Sequence, residues 1–312
     1  MKKRVWWLLL LLAALLLATA GSSLAAEKKI RIGVAAIGLE HTWDIKAFNG
    51  AMDRIKELGG EAIGLDGERK TQKHIDNLET LLQMKPDAII IVLGYKDIMD
   101  PVLEKITRAG IPIVTADFPT QYSLCNVSSS NEVMGRMIAE KMAQDLGYKG
   151  NIVSFYRPGS PIAETRRRML QEVLDKYPGL KIVAEQPYVI PGTVPHAMSV
   201  MENLLIANPK KGQIDAVWSL FDQPVIGAAM AIEAAGRAGE IKLYGIDGDP
   251  KALELIKKGT YTATVLQQPY KIGQLAAEQA MKLARGEKVP KQIYVDVQLV
   301  TKENVDQFLS QK

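Results

Sequence analysis

The sequence predicts an α/β protein of two similar lobes, each a parallel sheet flanked by helices. Three observations carry that prediction. From Lys29 onward, short β-rich runs alternate with amphipathic helical patterns, which is how βαβ units read. The alternation occurs in two series that resemble each other. The chain has 312 residues, 286 of them after a leader at the N-terminus, around the size at which one core divides into two.

The leader comes first. Lys2, Lys3 and Arg4 precede an apolar stretch from Val5 to Ala20, and Ser23-Leu24-Ala25 supplies the small-x-small pattern of a signal peptidase site. Residues 1–26 are therefore expected to be a cleaved export signal and the protein periplasmic. The alternative is an uncleaved anchor, for which 16 apolar residues fall short of the ~20 a membrane span needs. No Cys stands near the cleavage site, which excludes a lipid anchor through a lipobox thiol.

In the first series, Ile30–Ala36, Glu61–Leu65, Ala88–Val92 and Ile111–Ala116 read as strands. Their short apolar runs suit strands buried on both faces. Trp43–Leu58, Thr71–Met84 and Ile98–Ala109 read as the helices between them, closed by Gly59-Gly60 and Gly110 where a left-handed residue is wanted. In the second series the strands are Ile152–Phe155, Ile182–Glu185, Ala216–Trp218 and Lys242–Ile246. Its helices fall near Ile162–Tyr177, Ala197–Ala207, Val225–Gly236 and Lys251–Lys257.

The internal similarity is specific. Asp87-Ala88 opens a unit that runs through a helix to Ala109-Gly110 and a strand ending at Asp117. Asp215-Ala216 opens another, through Ala235-Gly236 to Asp247, and the Asp-to-Asp intervals are 30 and 32 residues. Ligands of open parallel sheets sit beyond the carboxyl ends of the strands, where both Asp117 and Asp247 stand. Facing each other across a cleft, two carboxylates that bridge vicinal hydroxyls suit a polyhydroxylated solute. The competing reading is that each Asp caps the next helix.

Composition narrows the function. Without residues 1–26 the formal charge falls from +4 to near +1, which gives no electrostatic reason to expect nucleic acid. Cys125 is the single cysteine, so there is no intrachain disulfide, and His41, His74 and His196 have no zinc-ligand spacing. A phosphate-binding loop, a dinucleotide fingerprint and a nucleophile elbow are all absent from the sequence. No cofactor, metal or catalytic machinery is expected. Asn126-Val127-Ser128 matches a glycosylation sequon by chance.

Taken in order, Ile32–Gly50, Gly110–Asp117, Val200–Leu205, Gly227-Ala228-Ala229, Tyr244–Gly248 and Val300–Asn304 resemble the ribose- and galactose-type periplasmic binding proteins of ABC importers and chemoreceptors. The resemblance spans residues 29–302. It implies two Rossmann-like lobes of the type I periplasmic binding protein fold, joined by a three-segment hinge that closes around ligand. The N-terminal lobe would be 27–129 plus 268–297 and the C-terminal lobe 130–267 plus 298–312. The implied partners are a small sugar or polyol and an ABC transporter permease, with a chemoreceptor or sensor kinase as the alternative, and the protein would be a monomer.

Carried over by position, Asp117, Arg166, Asp247 and Gln267 stand where the ribose-type pattern places polar ligand contacts. Arg166 belongs to a run with Arg167 and Arg168 whose plain reading is a solvated helix face. The first loop departs from the family: His41-Thr42-Trp43-Asp44 keeps one aromatic wall in Trp43, puts Asp44 where a second aromatic is usual, and leaves His41 as a candidate donor. Phe118 replaces an Arg and Phe221 an Asn of the ribose-type pattern. Each swap removes polar reach, so the pocket is expected to reject ribose and to take a less hydroxylated sugar, a short polyol or another small polar molecule. An exported enzyme using the two Asp as acid and base has a physical footing, but the same residues match a binding family. A DNA-binding repressor of the same lobe fold would need a headpiece where the leader stands.

Overall fold

The computed structural model describes residues 29–95 and 97–309, so the leader expected over residues 1–26 lies outside the described residues. In chain order the first half comprises β1 (Arg31–Ala36), α1 (Thr42–Glu57), β2 (Glu61–Asp66), α2 (Thr71–Met84), β3 (Ala88–Val92), α3 (Asp100–Arg108), β4 (Ile113–Ala116) and β5 (Cys125–Ser128). Next come α4 (Asn131–Asp145), β6 (Gly150–Phe155), α5 (Pro161–Lys176), β7 (Leu180–Gln186), α6 (Thr193–Ala207), β8 (Ala216–Ser219) and α7 (Asp222–Ala234). The last are β9 (Lys242–Asp247), α8 (Pro250–Lys258), β10 (Ala263–Leu266), α9 (Pro269–Ala284), β11 (Gln292–Tyr294), β12 (Gln298–Thr301) and α10 (Asp306–Leu309).

These strands form two six-stranded sheets, ordered β11-β5-β4-β3-β1-β2 and β12-β10-β9-β8-β6-β7. All pairings are parallel except β10 with β12. This is the two-lobed type I periplasmic binding protein architecture. The chain passes from the first sheet to the second after β5, returns after β10, and leaves again after β11. All three passages lie at the same side of the molecule, beside β5 and β11 in one sheet and β10 and β12 in the other.

Each sheet is buried on both faces. In β3, Ala88, Ile90 and Val92 join one core with Ile272 and Ala276 of α9, while Ile89 and Ile91 join another with Leu78, Leu81 and Leu103. Alternate residues of one strand thus feed two cores, which is why the run has no polar positions. Helix α9 lies on α1 at glycine: a Cβ on Gly273 would stand 1.9 Å from the Ala47 carbonyl oxygen, and one on Gly50 would stand 2.1 Å from that of Tyr270. No other residue permits that approach.

Three helices begin two or more residues from the positions the sequence predicts, and each has a proline in its first turn. Helix α6 starts at Thr193 rather than Ala197, and α7 at Asp222 rather than Val225, because Pro195 and Pro224 fall in the first turn, where no amide hydrogen is needed. Helix α3 starts at Asp100 with Pro101 in its first turn, which leaves Ile98 exposed ahead of it. Strands β5 and β10 to β12 have three or four residues each, too few to show a period, and were not assigned from sequence. Helices α4 and α9 were also unassigned, since their inward faces mix Met, Ala and Gly with charged neighbours.

Candidate functional site

The carboxyl ends of the two sheets face each other, and the loops that leave them enclose a cavity of about 630 Å³. All nine residues nominated from sequence line it. Asp117 follows β4 with φ +52° and Asp247 closes β9 with φ +126°, both in backbone regions that L-residues rarely adopt. Neither serves as a helix cap. The Ser130 hydroxyl accepts from the Val133 amide at the start of α4, and the Asp249 carboxylate accepts from the Lys251 amide at the start of α8. The two strand-end carboxyls are left for the cleft.

Two hydrogen bonds and an ion pair link them on the side where the polypeptide passes between sheets. Asn131 Nδ2 donates to Asp117 Oδ1 at 3.3 Å, and Arg166 Nε donates to Asn131 Oδ1 at 2.8 Å. Arg166 Nη1 donates to the Leu220 carbonyl at 2.6 Å and lies 3.8 Å from Asp247 Oδ1, which also accepts from Gln267 Nε2 at 2.8 Å. Arg166 is 3% exposed, whereas Arg167 and Arg168 lie outside, paired with Glu185 and with Glu132 and Glu172. One residue of the basic run therefore turns inward and two form the solvated face. Burial pushes the Asp117 carboxyl up to about 6 and that of Asp247 up to about 7, against the opposing pull of Arg166.

His41 caps α1: its Nδ1 accepts from the Trp43 amide at 3.3 Å, so the neutral ring carries its hydrogen on Nε2. That nitrogen lies 3.8 Å from Asp247 Oδ2, across the cleft. Burial, then the nearby charges of Arg69 and Arg166, lower the imidazole to about 3, which keeps it neutral at physiological pH. Asp44 is buried in the wall with its carboxylate bound by Arg69, a cation that no motif in the sequence announced. Arg69 reaches inward from a turn in which it and Glu68 both have positive φ, +53° and +50°. Three polar atoms of lining residues, Trp43 Nε1, Arg69 Nε and Gln267 Oε1, are buried without a hydrogen-bond partner.

The walls are aromatic. Phe221 meets the Tyr188 ring edge-on at 4.9 Å and the His41 ring at 5.5 Å, which brings both lobes into contact. Phe118 lies against Gly94 so closely that a Cβ there would be 2.8 Å from its ring. Tyr95 and Arg157 also line the cavity, with the Arg157 guanidinium 4.9 Å over the Tyr188 ring. Sequence reasoning missed Arg69, Tyr95, Asn131, Arg157 and Tyr188. Each lies in a loop, or at the first position of a helix, where only the tertiary fold gives it a direction.

Residues 32–288 match the periplasmic binding protein domain family. The ribose import binding protein of Bacillus subtilis (strain 168) is 29% identical over 285 residues, covering 90% of each chain. A solved ABC transporter solute-binding protein from Agrobacterium vitis, with bound allitol, superposes with a TM-score of 0.85 at 37% identity, over 90% of this chain and 98% of that one. An ABC sugar transporter subunit from Rhodobacter sphaeroides 2.4.1 gives 0.84 at 38% identity, over 88% and 98%.

Proposed function

Given that this chain belongs to the periplasmic binding protein family, we propose that it is the substrate-binding subunit of an ABC importer and captures a sugar or polyol between its lobes. The carrying observation is the convergence of two carboxyls and a glutamine from facing sheet ends, with an arginine from α5, on one cavity of about 630 Å³. A hydroxyl both donates and accepts. Asp117 and Asp247 supply acceptors, while Arg166, Arg69, His41 Nε2 and Trp43 Nε1 supply donors, so hydroxyls on adjacent carbons find both. The Trp43, Phe118 and Phe221 rings offer faces and edges to the C–H surface of a sugar or polyol. The relatives named above, which bind ribose or allitol, support the ligand class.

On this reading His41, Trp43, Asp44, Asp117, Phe118, Arg166, Phe221, Asp247 and Gln267 form the binding site, with Asp44 acting through Arg69. The lobes are 27–129 with 268–297 and 130–267 with 298–312, and the three passages between sheets form the hinge. The protein works as a monomer that binds without turnover, is exported through residues 1–26 into the periplasm, and hands its ligand to a membrane permease. Ribose itself is disfavoured. With Phe118 and Phe221 in place of polar side chains, a ribose hydroxyl is left unpaired at a cost of about 1–3 kcal/mol.

Calorimetry on protein purified from the periplasm of an exporting host, and stripped of ligand by unfolding and refolding, tests the proposal. Pentitols, hexitols and their parent sugars are titrated beside ribose. One or more of them should bind with 1:1 stoichiometry and ribose at least tenfold more weakly. Response to none of these compounds would refute the ligand class, and tight ribose binding would refute the role given to the two phenylalanines.

A further inference from the structure

The cavity is longer than its polar site. Strand order gives it a direction: Asp117, Asp247 and Gln267 follow β4, β9 and β10, beside the passages between the lobes. Away from them the lining comes from loops after β3, β1 and β2 of one sheet and after β6 and β7 of the other, β2 and β7 being outermost strands and the β1 loop leading to His41, Trp43 and Asp44. There the character changes. Tyr95 and Ile98 line it from one lobe and Ile162, Tyr188 and Ile190 from the other. Ile98 is 59% exposed, an unusual state for a residue in the wall of a polar-solute site.

Volume points the same way. A hexitol has twelve non-hydrogen atoms, and at no more than a water's share of about 30 Å³ apiece it fills at most about 360 Å³. The cavity measures about 630 Å³. A second sugar ring placed between Tyr95 and Tyr188 would set several hydroxyls against Ile and Tyr surfaces and leave them unpaired. Of the cations at this end, Arg69 is paired with Asp44 and Arg157 lies over the Tyr188 ring.

Resting on the function proposed above and narrowing it, we infer that the ligand is a sugar or polyol that carries an apolar substituent. The hydroxylated part occupies the Asp117–Arg166–Asp247 end, and an alkyl, alkylthio or aryl group lies between Tyr95 and Tyr188 and covers Ile98. Burial of that group is a binding contribution that unsubstituted sugars lack, and it comes with a more negative heat-capacity change.

The test is calorimetry on the refolded, ligand-stripped full protein at two temperatures, comparing parent pentoses, hexoses and hexitols with substituted partners. The probes are methyl, propyl and phenyl glycosides, and terminal deoxy-alkylthio sugars with the apolar group at the other end. A disaccharide series runs beside them. At least one substituted compound should bind tenfold or more tighter than its parent, with a more negative heat-capacity change. Ile98→Ser, at an exposed position, should then shrink the ratio between substituted and parent affinity about threefold or more. If parent sugars or disaccharides bind as tightly as every substituted partner, the inference is overturned while the broader function stands. An unchanged affinity ratio in Ile98→Ser overturns the placement of the substituent. If no carbohydrate binds, with or without a substituent, both fall.

Discussion

Replacing Asp247 with Asn removes a carboxyl that burial raises from 3.8 to about 7, and the consequence is a change in how stability depends on pH. A carboxyl whose pKa is higher folded than unfolded binds its proton more tightly in the native state. Its contribution is fully present below the unfolded value and is lost as pH rises through the folded one. For Asp247 that window runs from about 4 to about 7, and for Asp117 from about 4 to about 6. Between pH 5 and pH 8, Asp247 therefore withdraws about 2–3 kcal/mol of stability and Asp117 about 1 kcal/mol. Buried Asp222, also raised, acts with the same sign. Asn at position 247 keeps an acceptor for Gln267 and has no proton to lose. Urea unfolding of ligand-free wild type and Asp247→Asn at pH 5 and pH 8 measures the effect; groups remote from position 247 cancel in the difference of differences, and Asp222, which the Asp247 charge helps to raise, changes with the same sign. The variant should lose about 2–3 kcal/mol less than wild type over this range. Parallel profiles, or a variant that is the more pH-sensitive of the two, would refute the assignment of a raised pKa to Asp247.

Other outcomes follow from the same geometry. Arg166→Met should abolish ligand binding and destabilise the ligand-free protein by about 3–5 kcal/mol in urea unfolding, because it strands Leu220 O, Asn131 Oδ1 and a buried carboxyl. Ligand hydroxyls that donate to Asp117 and Asp247 favour the charged carboxylates, so affinity measured by calorimetry should rise from pH 5 to pH 8. Trp43 lines the cavity and Trp218 is fully buried in a strand, so a ligand-induced change in tryptophan emission should vanish in Trp43→Phe while calorimetry still detects binding. Gly273→Ala sets a Cβ against the Ala47 carbonyl and should cost about 1–3 kcal/mol or more in urea unfolding.

Much was legible before any coordinates. Alternation of apolar runs with helical periods reports parallel strands covered on both faces, because a residue such as Ile90 and its neighbour Ile91 must each enter a core. The Asp117 and Asp247 positions followed from that pattern, since a strand's carboxyl end is where a parallel sheet meets its ligand. The inward turn of Arg166 was not legible from charge. Arg166, Arg167 and Arg168 are chemically alike, and only the helix phase against the second sheet decides which one is buried.

What tertiary structure alone decided is the far half of the cleft. Arg69 and Tyr188 are 119 residues apart in sequence and follow the outermost strands of different sheets, so no local signal relates them. Glu68 and Arg69 adopt left-handed backbone without glycine, which sequence rules discourage and the surrounding loop imposes. Sequence by itself determined the layers, the strand ends and the chemistry waiting there, because periodicity and burial are local consequences of residue type. Which loops from the two lobes meet, how large a space they enclose, and where its polar character gives way to aromatic walls depend on contacts between distant segments. Those are set only when the two sheets close on each other.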